Sequence, residues 1–83
     1  NAMINFLPAI AEWKFVRHGP GEFELQYTGA VLGEGDEREL RRMMDIALEG
    51  ARVRFTRAEQ LDRTRTGKLL QYEDRTGMDH GDG

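Results

Sequence analysis

Glu22-Phe23-Glu24-Leu25-Gln26-Tyr27-Thr28 decides the fold. Phe23, Leu25 and Tyr27 fall on one side of an extended chain, and Glu22, Glu24, Gln26 and Thr28 on the other. A period of two with aromatic and β-favouring residues predicts a half-buried strand. Upstream, His18-Gly19-Pro20-Gly21 is a turn signal. Before it, residues 10–17 place Trp13 and Phe15 against Glu12 and Lys14, which predicts a partner strand and an antiparallel hairpin. Downstream, the chain bends at Gly29 and breaks at Gly33-Glu34-Gly35. Asp36 followed by Glu39 then reads as a capping box opening a helix over residues 37–49. Leu40, Met43, Met44, Ala47 and Leu48 form its apolar stripe, and Gly50 suits a left-handed C′ position. A third strand covers residues 51–58, with Val53 and Phe55 inward and Arg52, Arg54 and Arg57 outward. A short last strand follows at residues 69–73, with Leu70 and Tyr72 on one face.

The expected fold class is therefore α+β in two layers. One main amphipathic helix lies over an antiparallel sheet of order β-β-α-β plus a short C-terminal β. The order resembles a ferredoxin-like unit missing its first strand and helix. So few strands leave open edges, and a homodimer through a sheet edge or a missing neighbour domain is expected. The 83 residues allow one domain, over residues 4–75, with a small core. Residues 1–3 read as a tag scar and start, residues 4–8 as an apolar arm, and residues 76–83 as a flexible polar tail. The absence of cysteine excludes disulfides and fits a reducing cytoplasm. A net charge of −3 argues against nucleic acid as a partner, and no apolar run approaches a membrane span.

Chemistry converges on one loop, Leu61-Asp62-Arg63-Thr64-Arg65-Thr66-Gly67-Lys68. Residues 52–68 carry six bases (Arg52, Arg54, Arg57, Arg63, Arg65, Lys68) against two acids (Glu59, Asp62), a local +4 in a net-negative chain. Such a patch favours an anion. Thr64 and Thr66 add hydroxyls, Gly67 admits a close backbone approach, and Lys68 carries a compact charge on a long stem. Gly67-Lys68 is not a phosphate-binding P-loop, since no upstream glycine stands at the required spacing. On residue chemistry alone, a solvated basic strand face plus a polar loop is the better reading, because charged outer faces are normal.

The order of residues adds a resemblance. Arg63-Thr64 and Gly67-Lys68, after a β-β-α-β scaffold and before a short strand with Leu70, resemble the C-terminal lid subdomain of adenylate-forming enzymes. The likeness is to the phenylacetate–coenzyme A ligase and CapK-like branch, and covers roughly residues 10–75. It implies an AMP-forming acid–coenzyme A ligase in which Lys68 is the catalytic lysine brought in for adenylation. Thr64, Arg65, Thr66 and Gly67 would then form the substrate- and nucleotide-binding loop. ATP, Mg²⁺ and coenzyme A are implied for the full enzyme, with no cofactor and no metal held by this piece. The partner implied is an N-terminal adenylation domain, without which the piece is inactive. Asp62 stands where that family usually has proline, and Leu69-Leu70-Gln71 where a base often follows. Asp62 is expected to pair with Arg63 or Arg65.

The alternative is a stand-alone ferredoxin-like module that binds a small anion or a protein partner through Arg52, Arg54 and Arg57. An enzyme complete in itself is not expected, because no nucleophile–base pair or acidic dyad is visible. His18 and His80 read as solvated, and Asp79, His80 and Asp82 as an inert tail. Trp13 reads as core or dimer interface.

Overall fold

Alternating and helical periodicities become the predicted elements, except that the last strand covers Tyr72–Asp74 and not residues 69–73, so Leu70 lies outside it. The computed structural model describes residues 8–77; the tag scar, most of the N-terminal arm and the tail residues Asp79, His80 and Asp82 lie outside them. The elements are β1 (Ile10–Gly19), β2 (Glu22–Gly29), α1 (Glu34–Ala47), β3 (Arg52–Arg57) and β4 (Tyr72–Asp74). They form an α+β unit in which one helix covers a four-stranded sheet of order β3-β2-β1-β4. This keeps the β-β-α-β order of a ferredoxin-like fragment.

The antiparallel expectation holds for the β1–β2 hairpin, where Trp13 faces Tyr27 and Phe15 faces Leu25. The sheet as a whole is mixed. β3 runs parallel to β2 from Glu22↔Arg52 to Tyr27↔Arg57, and β4 runs parallel to β1 from Phe15↔Tyr72 to Arg17↔Asp74. The cause is the crossover: one helix between two strands returns the chain to its starting end. β3 lies directly on β2, so the sheet has no slot between them for another strand.

The helix side of the sheet holds the core. Trp13, Leu25, Tyr27, Leu32, Leu40, Met44 and Val53 are buried together, with Phe15, Phe23 and Phe55 packed around them. Phe15 and Phe23 stack with centroids 5.1 Å apart. Arg41 reaches from α1 over the Phe55 ring, 4.6 Å from its centroid, and donates to the Val53 carbonyl at 3.0 Å. α1 begins three residues earlier than expected. Its N-cap is Gly33, which makes no side-chain cap bond, so the capping box does not form. Asp36 instead joins Glu34 and Glu37 in the first turn, where acidic charge complements the positive helix end. Gly50 takes the expected left-handed φ of 78°, but the helix caps at Leu48, so Gly50 stands one residue beyond the C′ position.

The other face of the sheet is covered too. Val16 is fully buried on it, and Lys14, Glu24 and Thr28 are buried beside it by alternation. The segment after β3 returns across this face, anchored by buried Leu61 and by Arg63 bound to Glu12 at 2.6 Å. Among the described residues, no helix is long and apolar enough to cross a membrane.

Candidate functional site

The Gly67-Lys68 loop is a closed turn. The Thr64 N–H donates to the Lys68 carbonyl at 2.9 Å, and the Gly67 N–H donates to the Thr64 carbonyl at 2.9 Å. The Lys68 N–H donates to Thr64 Oγ1 at 3.1 Å, and the Thr64 and Thr66 hydroxyls meet at 3.1 Å. Gly67 closes the turn at φ 86°, a left-handed conformation that costs glycine little. Thr64 thus spends its hydroxyl on the loop and shapes the backbone that carries Lys68. We expect Thr64→Val to leave the fold intact but to loosen this turn by about 1 kcal/mol. Hydrogen–deuterium exchange at the Lys68 amide would then quicken about fivefold; unchanged exchange would show that the hydroxyl does not hold the turn.

Side-chain partners sort the basic residues. Arg63 is held by Glu12, Arg57 by Glu59 at 3.2 Å and by the Gly29 carbonyl at 2.7 Å, and Arg54 lies 3.6 Å from Glu24. Arg57 does not share the outward face of Arg52 and Arg54, since strand alternation puts it on the side of Val53 and Phe55. The expected pairing of Asp62 with Arg63 or Arg65 does not form. Asp62 instead faces Arg75 at 3.8 Å, while Arg63 is drawn to the shorter bond with Glu12. Arg52, Arg65 and Lys68 are exposed, and their side chains have no partner among the described residues. The loop therefore gathers Thr64, Thr66 and Gly67 into a frame and leaves Arg65 and Lys68 open to an incoming anion.

Two charged clusters on the sheet face away from the helix were not expected. Lys14, only 4% exposed, is bound to Glu73 at 2.5 Å, and Arg75 clamps the same carboxylate at 2.9 Å. Bonds from Arg75 and Lys14 hold the Glu73 carboxyl down at about 2, against the opposing effect of burial. A cavity of about 340 Å³ opens here, lined by Lys14, Asp62, Arg63, Thr64, Leu70, Glu73 and Arg75. Across the sheet, His18 Nε2 meets Glu24 Oε1 at 2.7 Å, so His18 is not a solvated turn residue. Burial alone would push the Glu24 carboxyl up. Hydrogen bonds from Thr56, His18 and Gln26 and the charge of Arg54 outweigh it and hold the group at about 2. The only sequence signal for either cluster was charge on a strand face, which has no address until the register is known. Among the described residues, no group of three or more acids or histidines is placed to hold a metal ion.

Lys68 is thus exposed at the end of a closed turn. Compared with known proteins, the chain matches no family model, no curated protein and no solved structure.

Proposed function

We propose that this domain is the C-terminal lid of an acyl-adenylate-forming acid–coenzyme A ligase, resembling the phenylacetate–coenzyme A ligase branch, and that it supplies Lys68 to a site completed by a separate adenylation domain. One observation carries the reading: Lys68 is exposed and has no side-chain partner among the described residues, on a turn locked by Thr64 and Gly67. A cation with no acid paired to it among the described residues can meet a partner's anion without first breaking an ion pair there. In adenylation, negative charge gathers on the oxygens of the phosphorus under attack by the carboxylate, and a lysine placed there stabilises it. Arg65, equally open, assists in drawing the anionic substrate to the loop. ATP, Mg²⁺ and coenzyme A are bound chiefly by the large domain in this reading, and the lid alone is inactive.

The test is complementation. A lidless adenylation domain of the ligase type is assayed for carboxylate-dependent pyrophosphate exchange with this domain added. Wild type should restore exchange, and Lys68→Ala should lower the restored rate by about 10²–10³-fold. Equal restoration by both would remove Lys68 from the chemistry. The second reading, an anion- or protein-binding module, is favoured by Arg52, which is exposed on β3 with no side-chain partner among the described residues. It predicts salt-dependent binding of phosphates or acidic peptides that disappears when Arg52 and Arg54 are replaced.

A further inference from the structure

β3 is an edge strand of the sheet. The Arg52 N–H donates to the Gly21 carbonyl and the Ala58 N–H to the Tyr27 carbonyl, each at 2.8 Å. Even-numbered residues of β3 thus point their backbone groups at β2, and Val53, Phe55 and Arg57 point theirs outward. The Val53 carbonyl is covered by Arg41. The N–H and C=O groups of Phe55 and Arg57 have no partner among the described residues. An open ladder of this kind accepts an added strand.

The arginines state which strand. Arg52 and Arg54 stand together on the sheet face away from the helix, and Arg54 is 69% exposed. On their inner side, β2 sets Glu22 opposite Arg52 and Glu24 opposite Arg54. Arg54 lies 3.6 Å from Glu24, so one of the two already faces an acid across the ladder, while the Arg52 side chain has no partner among the described residues; a strand with acids at alternate positions complements both. Their outer side is unfilled among the described residues. A second copy of β3 is the wrong occupant, because pairing about a two-fold axis brings Arg54 within cross-strand or diagonal reach of its own copy. A cavity of about 270 Å³ at the start of β3, lined by His18, Glu22, Phe23, Arg52, Val53 and Arg54, gives an incoming side chain room beside Arg52.

We propose that the outer edge of β3 binds an extended segment of a partner protein, carrying acidic residues at alternate positions, by strand addition. This does not depend on the lid reading, because the edge shares no residue with the Lys68 turn.

The probe is a labelled peptide copied from residues 21–29 of this chain, Gly-Glu-Phe-Glu-Leu-Gln-Tyr-Thr-Gly, whose acids alternate as required. Its control carries lysine in place of both glutamates. Binding is followed by anisotropy and by amide shifts of the protein. The acidic peptide should bind, weaken with salt, and move the amides of Phe55 and Arg57. The lysine peptide should not. Arg52→Glu combined with Arg54→Gln should weaken the acidic peptide about five- to tenfold and improve the lysine peptide. This reversal separates lost contacts from a damaged fold. Lys68→Ala should change neither affinity. Equal binding of both peptides, shifts confined to Trp13 and Leu25 (exchange with β2 itself), tighter binding of a short oligothymidylate, or no binding at all would each overturn the proposal.

Discussion

Gly29→Ala should unfold the domain or leave it barely folded. Gly29 adopts φ 118°, where side chains are strained. A Cβ there would also lie 2.3 Å from the Ala9 carbonyl oxygen and 2.9 Å from the Ala11 nitrogen. Both are backbone atoms at the start of β1. The Ala9 carbonyl accepts from the Ala30 N–H at 3.0 Å, and Ile10 pairs with Gly29 at a register shift. Neither atom can retreat without pulling apart the end of the hairpin. Strain and lost pairing together should cost about 3–5 kcal/mol, most of what a domain this small has to lose. Gly21→Ala is the matched comparison. Its φ of 68° is also left-handed, but nothing lies within 4 Å of the added Cβ, so the cost should be about 1 kcal/mol. Urea unfolding of the three proteins decides the matter. If Gly29→Ala is no less stable than Gly21→Ala, the close approach of β1 is not what Gly29 serves.

Acid should unfold the protein over a definite range, and Glu24 should account for the largest share. The folded Glu24 carboxyl sits at about 2 against an ordinary 4.5, as does Glu73. A carboxyl depressed by folding stabilises the folded state fully above its unfolded pKa. That contribution drains away as pH falls from about 4.5 towards about 2. For Glu24, whose side chain is 8% exposed, it is on the order of 2–3 kcal/mol; for the more open Glu73 it is less. Glu24→Gln removes the charge that His18 and Arg54 face. It should lower stability at neutral pH by about 2 kcal/mol and flatten the slope between pH 4.5 and 2 (the window set by the two shifts). Melting curves across that range measure both. A slope as steep in Glu24→Gln as in wild type would show that Glu24 is not depressed in the folded state.

Much of the architecture could be read before any coordinates. Alternation in residues 22–28 placed Phe23, Leu25 and Tyr27 on the core face, and the helical stripe found Leu40 and Met44. The direction of β3 was also legible, because a single helix between two strands brings the chain back parallel; reading the sheet as antiparallel overlooked that rule. The start of α1 was not legible, since an Asp-x-x-Glu pattern fits a cap and a first turn equally well. In the loop over residues 61–68, Thr64, Gly67 and Lys68 share one turn because their bonds are local. The partners of Arg63 and Lys14 were out of reach. Glu12 lies 51 residues from Arg63, and only the parallel docking of β4 on β1 brings Glu73 to Lys14.

That docking has a kinetic consequence. The β1–β2 hairpin closes over a two-residue turn, and β3 needs only the helix crossover, so both assemble from short-range contacts. β4 must travel back to β1 to set Arg17 against Asp74, 57 residues away, at the largest loop-closure entropy in the molecule. It does so with three strand residues and a row of ion pairs. Residues 61–76 are therefore expected to assemble last, and stabilising contacts there should slow unfolding without quickening folding. Lys68 rides on this late-forming piece, so its lifetime in place is set by an opening rate that the rest of the core does not control.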